Sequence, residues 1–273
     1  MRRYLLFCVM AGLGICIALG CAPSAPAGNG DGNGVPADVA NRVFFLHHSV
    51  GQGLIDGGVR QWITDYNTAH ATSFEFWDHG YPAEGLRNAE GADTGESYGA
   101  TADNTNPDGL LYLWTSAEAE AVHARQLILD NYYVIAFKSC FVDIVSLDDG
   151  TLAQYRTDYL QMRDVFDQHT DRIFVVVTAP PGAYGATDAA SASNAREFAN
   201  WMGSATYLSG HPNVLCFDLF DLLANPDDGT ARANMLRDDY LSDPTGQDSH
   251  PNEAGNQAVA PLFAEFLVNA ATG

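Results

Sequence analysis

Ser49 and His250 are the two residues of this sequence that best fit a nucleophilic reaction. Ser49 follows the apolar run of residues 43–46 and two histidines, and a glycine-containing turn comes next. A serine at the end of a strand, beside the first amides of a helix, lies near N–H groups that stabilise developing negative charge. The hydroxyl also needs a base, and a neutral imidazole such as that of His250 can take its proton near pH 7. The pair predicts acyl transfer through a serine nucleophile.

The sequence around Ser49 predicts a strand, a turn and a helix in that order. Residues 43–46 are β-branched, aromatic or aliphatic, as is typical of a buried strand. The apolar residues that follow recur at helical spacing, and they are Leu54, Ile55, Val59, Trp62, Ile63 and Tyr66. A serine that only caps this helix is the alternative role for Ser49.

The rest of the chain repeats the alternation of strand and helix. Further strands are predicted at residues 73–77, 132–137, 173–178 and 214–218, and helices at residues 116–129, 152–169, 193–208 and 253–268. Five strands alternating with helices indicate an α/β domain with a doubly wound parallel sheet. Residues 88–109 are poor in large apolar groups, and this predicts a surface excursion or an active-site lid.

A serine after the first strand and the segment Asp-Ser-His-Pro-Asn-Glu-Ala-Gly before the last helix resemble the SGNH (GDSL-like) hydrolase superfamily. The resemblance extends over about residues 42–270, and His48 stands where the family usually has an acidic residue. It implies a three-layer, flavodoxin-like sandwich whose five-stranded parallel sheet has the order 2-1-3-4-5. It also implies a serine esterase whose base is His250.

The resemblance implies a third residue that orients His250. The family places an aspartate three positions before the histidine, where this chain has Gln247. We therefore predict that Asp248, two positions before His250, takes this role, with Asp243 as the alternative.

The resemblance also implies an oxyanion hole with three donors. The first two are the amide of Ser49 and the amide of a glycine after the second strand, for which Gly85 fits best and Gly80 competes. The third is a side chain after the third strand, where the family has an asparagine and this chain has Lys-Ser-Cys at residues 138–140. We predict Ser139 as this donor, with Lys138 as the alternative, because the thiol of Cys140 donates only weakly.

The N-terminus predicts export. Residues 1–20 have two arginines and then an apolar stretch, as in a signal peptide, and the small residue before Cys21 resembles a bacterial lipoprotein cleavage site. Residues 21–40 then contain the lipidation site and a flexible linker rich in Gly, Pro and Ala, and residues 41–273 form the hydrolase-like domain. Ordinary cleavage and an uncleaved anchor are the alternatives to lipidation at Cys21.

Composition narrows the choice of partners and cofactors. The net charge of −21 argues against nucleic acid and against direct binding to an anionic membrane surface, so a lipid anchor is the predicted membrane contact. The adjacent His47 and His48 point to opposite faces of a strand, which disfavours a shared metal ion. Of the five cysteines, Cys140 and Cys216 lie in the domain. We expect them to be unpaired, because an intervening strand separates them by about 10 Å.

The predicted function is that of an exported serine esterase, anchored in the cell envelope, that needs no metal or organic cofactor. The substrate is a small-molecule or carbohydrate ester, with an O-acetylated carbohydrate as a candidate. The alternative is a surface lipoprotein that keeps the fold as a binding module without turnover. The sequence carries no signal for an oligomeric state.

Overall fold

The computed structural model describes residues 39–99 and 106–273. The predicted signal peptide, the lipidation site at Cys21 and all but the end of the linker lie outside these residues. Within them, no helix combines the length and the apolar character needed to cross a lipid bilayer.

A six-stranded sheet forms the centre of the domain. Its strands are β1 (Arg42–Leu46), β2 (Glu75–His79), β3 (Leu86–Arg87), β4 (Val134–Lys138), β5 (Ile173–Val177) and β6 (Val214–Phe217), in the order β3-β2-β1-β4-β5-β6. Every pair of neighbouring strands is parallel except the pair β2 and β3. The predicted 2-1-3-4-5 order of the five parallel strands is therefore confirmed. The predicted number of strands is wrong, because the two-residue β3 pairs antiparallel with β2 and is too short to produce a sequence pattern.

Helices cover both faces of this sheet. They are α1 (Ser49–Leu54), α2 (Arg60–His70), α3 (Pro107–Thr115), α4 (Ala119–Asn131), α5 (Asp149–Phe166), α6 (Ala189–Met202), α7 (Ala205–Leu208), α8 (Leu219–Leu223) and α9 (Glu253–Thr272). A π-helical segment, Ile55–Val59, joins α1 to α2. The predicted helix start at Ser116 is wrong, because Ser116 follows α3 and donates its backbone N–H to Tyr112. The predicted excursion at residues 88–109 overlaps the beginning of α3.

The side chains of each strand point alternately to the two faces of the sheet, and this divides the core into two layers. Phe44 on β1 and Ile135 on β4 belong to the cluster that packs against α3 to α6, whereas Phe45 and Ala136 belong to the cluster that packs against α1, α2, α8 and α9. Successive side chains of a strand point to opposite faces, so each apolar strand contributes to both clusters. The result is a three-layer sandwich, with β1 in the middle of the sheet.

The two domain cysteines lie on different strands of this sheet. Cys140 follows β4 and Cys216 lies in β6, and β5 runs between them. Both are free thiols.

Candidate active site

Ser49 and His250 meet at the carboxyl end of the central strand. Ser49 is the first residue of α1, which His47 and His48 connect to β1, and His250 lies in the loop that precedes α9. The Nε2 atom of His250 lies 2.8 Å from the Ser49 hydroxyl oxygen. The ring of Phe141, in the loop after β4, packs edge-on against the imidazole with the ring centroids 4.9 Å apart. The hydroxyl is thus within proton-transfer distance of a base that a neighbouring ring supports.

Asp248 fixes the other side of the imidazole. Its Oδ1 atom lies 2.5 Å from Nδ1 of His250 and also accepts the backbone N–H of His250 at 2.9 Å. A carboxylate only accepts, so Nδ1 is the donor and the lone pair of Nε2 faces Ser49. Desolvation raises the pKa of Asp248, but the hydrogen bonds from His250 outweigh it and bring that pKa below its ordinary value. An ionised Asp248 can therefore stabilise a positive charge that develops on His250.

Asp243, the alternative partner of His250, orders the loop instead. Its carboxylate accepts the backbone N–H groups of Thr245 at 2.7 Å, of Gln247 at 3.0 Å and of Asp248 at 2.9 Å, together with the Thr245 hydroxyl. These hydrogen bonds, the one from the Thr245 hydroxyl above all, lower the pKa of Asp243. Asp243 thus holds the backbone that presents Asp248 to the imidazole.

We expect Asp243→Asn to lower the melting temperature at neutral pH, and to lower it less as the pH falls. The folded-state pKa of Asp243 lies below its ordinary value of 3.8. The carboxylate therefore adds stability above that ordinary value, and this stability is lost as the pH falls through the folded-state pKa. Melting curves of both proteins from about pH 7 to about pH 3 test this, and a difference that stays constant with pH contradicts it.

The residues after His250 explain why the Pro-Asn-x-x-Gly pattern follows the base. The Asn252 side chain caps α9 by accepting the N–H of Gly255 at 3.0 Å, and it donates to the carbonyl of Asp239 at 2.9 Å. The Ser249 hydroxyl accepts the N–H of Ala183, in the loop after β5, at 2.9 Å. The helix cap and this inter-loop hydrogen bond together fix the position of His250.

The backbone beside Ser49 offers donors for an oxyanion. The first hydrogen bond of α1 runs from the N–H of Gln52 to the carbonyl of His48 at 3.0 Å. The amides of Ser49, Val50 and Gly51 come before it, where a helix supplies no acceptor of its own. The Ser49 N–H can therefore donate to the carbonyl oxygen of a substrate, which becomes negatively charged when the neighbouring Ser49 hydroxyl attacks it.

Known structures resemble this fold. A candidate acylhydrolase of Bacteroides fragilis superposes with a TM-score of 0.50 at 12% sequence identity, over 85% of this chain and 88% of the other. The superposition and the 2-1-3-4-5 order of the parallel strands decide the fold. The chain has the SGNH-like α/β fold that the resemblance in its sequence implies.

Two further structures show weaker similarity to this SGNH-like fold. A candidate platelet activating factor of Streptococcus pneumoniae covers 86% of this chain and 87% of its own, at 14% identity and a TM-score of 0.48. A GDSL-like lipase of Bacteroides thetaiotaomicron covers 87% of this chain and 94% of its own, at 10% identity and a TM-score of 0.44. No protein-family model matches the sequence, and no curated protein matches it either.

Of the other two predicted oxyanion donors of this SGNH-like fold, the Gly85 amide is hydrogen-bonded elsewhere and Ser139 is buried. The N–H of Gly85 donates to the carbonyl of Tyr81 at 3.2 Å, and the N–H of the competing Gly80 faces the carbonyl of Gly85 at 3.4 Å. Ser139 is fully buried, and its hydroxyl oxygen has no hydrogen-bond partner among the described residues. The Ser49 amide stays a prediction, whereas the Gly85 amide is hydrogen-bonded within a local turn and Ser139 is buried just after the end of β4.

Lys138, the alternative donor, is buried as well. Its ammonium nitrogen lies 3.2 Å from the carbonyl oxygen of Ser139, and burial lowers the pKa of Lys138. Cys140 is also buried, and its N–H donates to Asp143 at 3.1 Å. In this SGNH-like fold, Lys138 and Cys140 lie where the family has an asparagine, and both form their hydrogen bonds with nearby residues at the end of β4 and in the loop after it.

The two histidines before Ser49 have separate environments. Nε2 of His47 lies 2.9 Å from the buried carboxylate of Asp78, which also forms an ion pair with Arg60. The ring of His48 packs on that of Tyr81, with centroids 3.7 Å apart. Among residues 39–99 and 106–273, no three His, Cys, Asp or Glu side chains cluster in a way that could hold a metal ion. No sequence pattern predicts the roles of Asp78 and Arg60, because the packing of three different elements sets their partners.

Proposed function

We propose that this protein is a serine esterase that hydrolyses an O-acyl ester. Ser49 is the nucleophile, His250 is the general base and then the general acid, and Asp248 orients the imidazole. The observation that carries the proposal is the unbroken contact from Ser49 through His250 to Asp248, with separations of 2.8 and 2.5 Å. A nucleophile, a base and an orienting group within hydrogen-bond distance are the geometric signature of such enzymes.

The reaction follows from the positions of these groups. The Ser49 oxygen attacks the ester carbonyl carbon while Nε2 of His250 takes the hydroxyl proton, and the Ser49 amide donates to the oxyanion that forms. His250 then gives that proton to the departing alkoxide, which leaves as an alcohol and leaves the acyl group on Ser49. Water repeats the attack with His250 as base, and the carboxylic acid departs as Ser49 regains its proton.

The surroundings of Ser49 favour an uncharged ester. Tyr81 and Val142 are large apolar side chains that are 39% and 57% exposed, and they lie in the loops after β2 and β4, the two strands beside β1. The net charge of −21 repels anionic substrates. An O-acetylated carbohydrate is a member of this class, because the sugar is neutral and the exposed ring of Tyr81 offers it an apolar surface.

The proposed location is the outer side of a bacterial membrane. Residues 1–20 direct export, Cys21 carries the lipid, and the linker of residues 21–40 tethers the hydrolase domain of residues 41–273. A tethered esterase of this kind acts on esters within reach of its linker.

We expect a fluorophosphonate probe to label the wild-type protein at Ser49, because such probes react with a serine that a neighbouring base has activated. Ser49→Ala should abolish the labelling. The exposed Ser209, at the end of α7, gives the matched control, and Ser209→Ala should label like wild type. Mass spectrometry of the labelled peptide identifies the site. A wild-type protein that is folded but unlabelled supports the binding module without turnover.

A further inference from the structure

A chain of polar side chains begins at His47, two residues before Ser49. Nε2 of His47 lies 2.9 Å from Oδ2 of Asp78, and Oδ1 of Asp78 pairs with the guanidinium of Arg60. The side chains of His47 and Asp78 are each 1% exposed. The chain connects the end of β1, the end of β2 and the beginning of α2. Buried charges in the core are costly unless each is paired, so these three groups stabilise one another.

The second ring nitrogen of His47 faces the backbone of the site. Nδ1 lies 3.0 Å from the carbonyl oxygen of His48, which can only accept. Nε2 faces a carboxylate oxygen of Asp78, and that carboxylate also pairs with Arg60. Each ring nitrogen of His47 thus faces an oxygen atom that accepts hydrogen bonds, and a proton on each nitrogen satisfies both contacts.

The carbonyl of His48 and the amide N–H of Ser49 belong to the same planar peptide group. Fixing the oxygen of a planar peptide also fixes the direction of its N–H. A hydrogen bond to the carbonyl oxygen also polarises the peptide, so that its N–H becomes a better donor in turn. His47 therefore acts on the same amide that faces the oxyanion.

The first turn of α1 is built around the ring of His47. A Cβ atom on Gly51 would lie 2.3 Å from Cβ and 2.7 Å from Cγ of His47, so a side chain at this position would displace the histidine. On its other side, the ring stacks on Phe45 with centroids 5.1 Å apart. The packing leaves the imidazole in one orientation, with Nδ1 toward the backbone and Nε2 toward Asp78.

We propose that His47 is a positioning residue for the oxyanion-binding amide of Ser49, and that Asp78 and Arg60 hold it in place. Its catalytic consequence rests on the proposed esterase function. The hydrogen bond from Nδ1 of His47 orients and polarises the peptide between His48 and Ser49, and the contact of Nε2 with Asp78 holds the ring in place. The site thereby obtains one strong, fixed donor.

Two substitutions separate the two contacts of His47. The amide nitrogen of Asn takes nearly the place of Nδ1, so His47→Asn keeps a donor to His48 and loses the contact with Asp78. The amide nitrogen of Gln takes nearly the place of Nε2, so His47→Gln keeps Asp78 and loses the donor to His48. We expect His47→Gln to lower kcat about 100-fold with little change in KM, and His47→Asn to retain most of the kcat that His47→Gln loses. The opposite order, or equal losses that appear in KM, overturns the proposal.

Nuclear magnetic resonance of the wild-type protein supplies a test that needs no substrate. Nitrogen-15 shifts of the His47 ring should show a proton on both nitrogens at neutral pH. The Ser49 amide resonance should move more in His47→Gln than in His47→Asn. A ring with one proton overturns the proposal, whether or not the protein hydrolyses esters. Protonation of both nitrogens in a protein without esterase activity supports the contact and contradicts the proposed function alone.

Discussion

Replacing His250 with Asn lowers kcat for ester hydrolysis by about 10⁴- to 10⁶-fold, if His250 is the base that the geometry indicates. Its Nε2 atom lies 2.8 Å from the Ser49 oxygen, and no step of acyl transfer proceeds efficiently when the proton of the hydroxyl has no acceptor. Asn has no group that both takes and returns a proton near neutral pH. Steady-state kinetics with a chromogenic acetate ester measure the loss.

The exposed His123 of α4 gives the control for this substitution. His123→Asn removes an imidazole from the surface and should leave kcat unchanged. Both variants should melt at temperatures close to that of wild type, because His250 is partly exposed. A His250→Asn variant that is folded and retains wild-type kcat contradicts the proposed mechanism.

Asp248→Asn should lower kcat by about 10³- to 10⁴-fold. The Asp248 carboxylate accepts from Nδ1 of His250 at 2.5 Å and so keeps the lone pair of Nε2 directed at Ser49. An Asn side chain can instead donate to Nδ1, which moves the ring proton to Nε2 and leaves no acceptor for the hydroxyl. The ionised carboxylate, whose pKa is lowered, is also lost as a partner for the protonated ring.

Two other aspartates test the specificity of this effect. Asp239 is exposed nearby and contributes only its backbone carbonyl to Asn252, so Asp239→Asn should keep full kcat. Asp243→Asn should have an intermediate effect, because Asp243 supports the loop without being the orienting group. A larger loss of kcat for Asp243→Asn than for Asp248→Asn contradicts the assignment of the orienting residue.

The fold was predictable from the sequence where an element is long and periodic. The five parallel strands follow from apolar runs that alternate with helical patterns, and their order follows from the resemblance to the SGNH hydrolases. The two-residue β3 was missed because pairing with β2, not its own composition, makes it a strand. The predicted helix start at Ser116 was wrong because serine is common both at the start of a helix and in turns. The packing of α3 and α4 places Ser116 in the connection between them.

The site was predictable only where one residue type and one local geometry determine the chemistry. Ser49 follows from its strand, turn and helix, and His250 from the motif around it. The oxyanion donors depend instead on where each N–H and each side chain points. The turn that engages Gly85 and the burial of Ser139 are properties of the assembled sheet. The same holds for His47, whose partner Asp78 lies on a neighbouring strand.

The pairing of Ser49 with His250 unites the first and last parts of the domain. A growing polypeptide releases the nucleophile early, but the base emerges only after all six strands, and α9 must then dock on the same face as α1. Contacts between such distant segments close late, after the loop entropy between them has been overcome. In the proposed esterase, catalytic turnover therefore reports the completion of folding, and the serine of a nascent or prematurely released chain lacks its base.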